Sequence, residues 1–158
     1  MGKDLVGALK VINSRLKGRR FRWMFMGSVS LYLHGIVKTV GDIDILTDKK
    51  GAYRICGLLE EYVVKPPVFS QTDLFKSHFG ILKIKGMKVE IAGDFSEKAQ
   101  DKWIALSRRR LNHPEYRRVE GMRLPVTPLK MHLESYKILN RRKDREKIRK
   151  LEEKLGRK

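Results

Sequence analysis

The chain has 158 residues, of which 36 are Lys or Arg and 18 are Asp or Glu, a formal net charge of +18. That length favours one domain that buries a core without disulfides, and a hydrophobic content of 41% excludes a disordered basic tail. No apolar run nears the ~18 residues of a membrane-spanning helix, and the single Cys56 excludes an internal disulfide or a thiolate zinc site.

Leu5, Leu9, Ile12 and Leu16 recur at helical spacing and predict an amphipathic helix over 4–16, ended at Gly18. Phe21–Met26 reads as a buried strand. Gly27 breaks it, and Ser28 opens a short helix closed by His34-Gly35. Asp42-Ile43-Asp44-Ile45-Leu46 alternates, predicting a strand with both acids on one face. Thr47 or Asp48 caps a helix over 49–61. Val63-Val64 is a short strand stopped by Pro66-Pro67, and 65–78 reads as a loop. Residues 80–85 and 87–91 form a hairpin turning near Gly86. Glu97–Leu106 reads as a helix, and a smaller hairpin turns at Glu120-Gly121. Thr127 as N-cap and Pro128 as first helical residue start a helix toward Asn140, before a last basic helical segment. The order predicts an α/β (α+β) chain with a mixed sheet and a C-terminal helical appendage. The division expected is a core over 1–125 and a basic helical segment over 126–158.

The charge is unevenly spread. Residues 1–41 carry net +7, 42–100 net 0, 101–123 net +4 and 124–158 net +7. Two-to-one excess of base over acid points to a polyanion partner such as RNA, beyond what a charged thermophile surface explains. The first residues lack the apolar core of a secretion signal. With one cysteine, this gives an expected cytoplasmic location with no membrane association.

Three features converge. Gly27-Ser28 at a strand-to-helix turn lets backbone approach a phosphate, with the helix amides and the Ser28 hydroxyl as donors; it is also a common turn. Asp42 and Asp44 at i and i+2 can share a divalent cation, or form a solvated strand face. Glu90 lies on a later strand and can complete a carboxylate triad. The four histidines show no ligand spacing, and His34 reads as a helix cap. Ser28 and Ser30 lack a His/Asp arrangement, which sets serine hydrolysis aside. Trp23, Trp103 and Cys56 read as core, and Tyr32 or Phe75 as a base-stacking aromatic.

Gly27-Ser28, Leu31, His34-Gly35, Thr39 and Asp42-Ile43-Asp44 together resemble the signature of the nucleotidyltransferase superfamily that includes DNA polymerase β. The spacing is similar to that of small prokaryotic members of the AbiEii and lincosamide-adenylyltransferase types. Glu90 matches the third acidic position. Lys137 with Arg142-Lys143-Asp144 resembles a C-terminal basic segment of AbiEii-like members. The resemblance implies a nucleotidyltransferase core in which Asp42, Asp44 and Glu90 bind Mg²⁺, with Mn²⁺ as substitute, and act as the catalytic acids. It implies that Gly27, Ser28 and Lys137 bind the nucleotide. The implied activity moves an NMP from an NTP, ATP included, to a hydroxyl acceptor with release of pyrophosphate. The basic ends favour RNA or a tRNA-like end as acceptor over a small molecule or protein. The alternatives are a non-catalytic nucleic-acid-binding module and a toxin-antitoxin-type regulator that keep the fold. Lys38 and Arg142 are further phosphate candidates, and Asp144 a capping or ion-pairing residue.

Overall fold

The structure is a computed structural model that describes residues 2–156. Helix α1 (Lys3–Leu16) is followed by β1 (Trp23–Met26), α2 (Gly27–Leu33), β2 (Ile43–Thr47) and α3 (Lys49–Leu58). Then come β3 (Val63–Gln71), β4 (Phe75–Ile84), β5 (Met87–Ala99), β6 (Lys102–Ala105) and α4 (Leu106–Arg110). Strands β7 (Glu115–Val119) and β8 (Met122–Val126) precede α5 (Leu129–Leu139) and α6 (Arg145–Gly156). The sheet runs β3-β4-β5-β2-β1-β8-β7, with β6 paired to β5. The β2–β5 and β1–β8 pairs are parallel and the others antiparallel, so the sheet is mixed as expected.

The central strands are apolar because both faces are covered. Leu5, Leu9, Ile12 and Leu16 of α1 and Ala52 and Ile55 of α3 join Phe25, Ile43, Ile45, Val89 and Ile91 in one buried cluster. Gly93 lets α3 approach β5, since a Cβ there would lie 2.6 Å from the Asp48 carbonyl oxygen and 2.8 Å from Ala52 Cβ. The C-terminal helices pack through Leu129, Tyr136 and Leu151 against Leu31 and Ile36 at the end of α2. The division expected after residue 125 falls inside β8. No helix among the described residues is long and apolar enough to cross a membrane.

Asp48 rather than Thr47 caps α3, its carboxylate accepting from Gly51 N–H at 2.6 Å. Thr47 Oγ1 instead donates to the Arg22 carbonyl. Asp48→Ala is expected to cost about 1 kcal/mol, read as a lower urea midpoint with an unchanged slope.

Three expectations are corrected. The segment 65–78 is not a loop but most of β3 and the start of β4. Its prolines are tolerated because β3 is an edge strand whose register slips between Val63, Lys65 and Val68, so no ladder donor is missed there. The helix expected over 97–106 is the end of β5, a turn at Gln100 (φ 57°) and β6, with α4 starting only at Leu106. Pairing of Glu97 with both Phe75 and Ile104 overrides the helical spacing of Ala99, Trp103 and Leu106. Thr127 is not the N-cap of α5; Pro128 holds that position. Thr127 Oγ1 donates to the Phe25 carbonyl at 2.8 Å and ties the chain to β1.

Candidate active site

The register of three strands assembles the acids. Asp44 on β2 stands opposite Met26 on β1 and opposite Glu90 on β5. Side chains at paired positions share a face, so the Asp44 and Glu90 carboxyls lie side by side. Burial first, then the charge and hydrogen bond of Glu90 and the charge of Asp42, push Asp44 up to about 8. Lys88 Nζ is 3.0 Å from Glu90 Oε1, and that contact raises the Lys88 ammonium.

Gly27 is shaped for this neighbour. It begins α2 with φ 66°, in the left-handed region, and a Cβ there would strike the Asp44 carboxylate. Ser28 Oγ donates to the Asp42 carbonyl at 3.3 Å and accepts from Gly41 N–H at 3.3 Å. Its hydroxyl therefore fastens the loop that presents Asp42. Asp42 itself is half-buried, one residue before β2.

Asp44, Glu90 and Gly27 line a cavity of about 530 Å³. Asp42 and Ser28 are outside its lining. Among the described residues, no three His, Cys, Asp or Glu side chains stand close enough to hold a metal ion as they lie. The donor chemistry nevertheless suits a hard divalent cation, being all oxygen and short of positive charge. Burial and the neighbouring charges of Glu90 and Asp42 are what raise Asp44, and a bound cation would offset both.

Lys137, expected at the nucleotide, is not in this cavity; it is exposed, 3.9 Å from Glu152 on α6. The cations that do line the cavity are Lys76, Arg110, Arg141 and Lys143. Arg141 Nε donates to the buried Asp144 at 2.6 Å, the ion-pairing role expected of Asp144, and its guanidinium is 5.9 Å from the Phe75 ring. Phe75 stacks on Phe95 inside the cavity, whereas Tyr32 packs on the core. Arg142 and Lys38 are exposed and do not line it.

Glu97 also lines the cavity and was not foreseen. It is 4% exposed; Ser135 donates to one oxygen at 2.5 Å and the other has no partner. Burial raises this carboxyl, against the pull of Ser135 and Arg110. Glu90 and Glu97 are seven apart and would face opposite sides of a regular strand. The register shift between Lys76 and His78, with Asp94 at φ 50° on β5, turns Glu97 back to the cavity.

Ser30 has a histidine partner after all, His132 Nε2 at 2.7 Å, but the two are 0% and 4% exposed. His34 Nε2–H donates to the Thr127 carbonyl at 2.8 Å, and its Nδ1 accepts from Arg117 at 3.0 Å. Burial lowers His34 and pushes His132 down to about 3, so both rings are neutral struts between α2 and the start of α5. His34 is thus a buried tie in addition to ending α2.

A family model for aminoglycoside-2″-adenylyltransferases matches residues 8–151. The chain belongs to this family. It is accordingly a nucleotidyltransferase, as the Gly27-Ser28 and Asp42-Ile43-Asp44 resemblance implies, and the non-catalytic alternative is set aside. A Thermotoga maritima protein solved as a candidate nucleotidyltransferase is 35% identical, with a TM-score of 0.81 over 98% of this chain and 96% of that one. The enzyme ANT(2″)-Ia, solved with adenylyl-2″-tobramycin, shares the fold at 10% identity, with a TM-score of 0.55 over 96% of this chain and 87% of that one. Comparison with curated proteins gives no match.

Proposed function

We propose that the chain transfers an NMP from an NTP to a hydroxyl acceptor, releasing pyrophosphate, at Asp42, Asp44 and Glu90. The observation that carries this reading is the half-buried Asp44–Glu90 pair at the mouth of the Gly27 turn, in a cavity otherwise rich in cations. Mg²⁺, or Mn²⁺ in its place, is the cofactor the donor set suits. When bound, such a cation polarises the reacting phosphate and makes an attacking hydroxyl more acidic.

The protein's own groups divide the remaining work. Lys76, Arg141 and Lys143 place positive charge along the cavity for the triphosphate. They take the role expected of Lys137. Gly27 keeps the space beside Asp44 clear, and Ser28 holds the Asp42 loop in reach. The Phe75 face offers a stacking surface for a base. Glu90, paired in register beside Asp44, is placed to receive the acceptor proton.

The net charge favours RNA as acceptor, held by the basic ends. A second reading is an amine-bearing small molecule, as in the adenylyl-2″-tobramycin bound to ANT(2″)-Ia. The unpartnered oxygen of buried Glu97 favours it, because that oxygen can accept from an amine. Incubation with labelled NTPs, RNA and an aminoglycoside panel separates the two. Transfer to either acceptor is expected to disappear in Asp42→Ala plus Asp44→Ala. Glu97→Gln is expected to depress transfer to an amine-bearing acceptor about tenfold or more while sparing RNA. Unchanged transfer in the double variant would refute the assigned site.

A further inference from the structure

A second cavity, of about 500 Å³, lies at the other end of β1 and shares no lining residue with the first. Trp23 opens β1 at this cleft, and Met26 closes it at the catalytic cavity, about 10 Å away along the strand. The cleft is walled by the end of α1, the link to β1, and the β7–β8 hairpin.

Its polar lining is cationic. Lys17, Arg19, Arg22 and Arg123 are exposed along it. Among the described residues, no carboxylate lies within 4.0 Å of any of the four. Four arginines outside the cleft do pair with carboxylates, Arg15 with Glu61, Arg109 with Glu134, Arg141 with Asp144 and Arg149 with Glu146. The C-terminal dipole of α1 accounts for Lys17 and Arg19. It does not account for Arg22 and Arg123, which come from other elements into the same concavity.

Arg123 is also arranged. Arg118 pairs with Arg123 and Tyr116 with Pro125, so Tyr116 and Arg123 share one face of the hairpin. The Arg123 guanidinium carbon sits 3.6 Å from the centre of the Tyr116 ring. A ring contact this close restrains the Arg123 side chain, which is exposed, and a guanidinium can fork onto an oxyanion.

We propose that this cleft is a second binding site, separate from the catalytic cavity, that takes a phosphate group. A free or small-molecule phosphate and the phosphodiester of an RNA strand offer the same chemistry there. This site stands whether or not the reading of the catalytic cavity holds, since the two share no residue.

Trp23 lines the cleft and reports on it, while Trp103 lies against Lys76 and Lys98 elsewhere. The full chain carrying Trp103→Phe is titrated with inorganic phosphate and, separately, with a short single-stranded RNA, reading Trp23 fluorescence. A saturable change with at least one probe is expected. Arg22→Glu plus Arg123→Glu should weaken it about tenfold or more and flatten its salt dependence, with the thermal melt retained. Arg123→Lys keeps the charge but not the fork or the stack, and should fall between. Lys143→Glu, in the catalytic cavity, should leave the signal unchanged. Phosphate binding without RNA binding identifies a small phosphorylated ligand; RNA binding that phosphate displaces identifies a strand. The proposal is overturned if neither probe gives a saturable change, if the charge-reversed variant binds like its parent, or if Lys143→Glu removes the signal.

Discussion

Asp44→Asn is expected to stabilise the metal-free protein at alkaline pH while abolishing nucleotidyl transfer. Asp44 is held protonated up to about 8 by burial and by the charges of Glu90 and Asp42. In the unfolded chain it ionises in the ordinary aspartate range, near 4. Between those two values the folded state binds more protons than the unfolded state, so stability falls as pH rises. The contribution is complete below about pH 4 and lost by about pH 8. Asparagine removes that slope, because it carries no proton to lose. On the order of 3 kcal/mol separates the two proteins above pH 8, a fraction of the full linkage because the carboxyls share the cost. Urea melts from pH 4 to 9 check it: the parent's midpoint should fall through that range and the variant's stay level. Equal slopes would place the stored electrostatic strain elsewhere. A divalent cation should raise the parent's midpoint above pH 7 and leave Asp44→Asn unmoved.

Gly27→Ala is the second large effect. The new methyl would meet the Asp44 carboxylate, with Asp44 Cγ at 3.2 Å and Cβ at 3.4 Å, and the backbone there is left-handed at φ 66°. The backbone alone costs about 1 kcal/mol for a residue with a side chain. The larger consequence is a displaced carboxyl, and a shift of about 1 Å at a reacting group costs on the order of 100-fold in rate. Gly86→Ala is the control. Gly86 has φ 79° in the β4–β5 turn, and nothing lies within 4 Å of its missing Cβ. It should show the backbone cost without the loss of transfer. If both variants keep full activity, Asp44 does not need the position that Gly27 leaves open.

The sequence made the strand acids legible because they obey simple periodicity. Alternation placed Ile43 and Ile45 inward and Asp44 outward, and Gly27 broke β1 where the structure breaks it. The pairing of Asp44 with Glu90 needed the parallel β2–β5 register, which one chain of residue types does not show. Glu97 was hidden by a β-bulge that reverses strand parity. Arg141 and Lys143 were hidden by Asn140, whose left-handed φ of 49° ends α5 and swings the following residues to the cavity. Lys137, still on the helix, points toward α6 instead. Helical spacing at 97–106 misled because edge pairing with β4 and β6 outweighs local preference.

On the proposed mechanism, a nucleotidyl group, with the α-phosphate, leaves the NTP at the Asp44–Glu90 pair. The most direct measurement follows two ATP samples, one labelled at the α-phosphate and one at the γ-phosphate, with an acceptor and Mg²⁺. The expected result is α-label in the acceptor, γ-label in pyrophosphate, and neither movement in Asp42→Ala plus Asp44→Ala. Transfer of γ-label to the acceptor, or α-label transfer that survives loss of both aspartates, would contradict it.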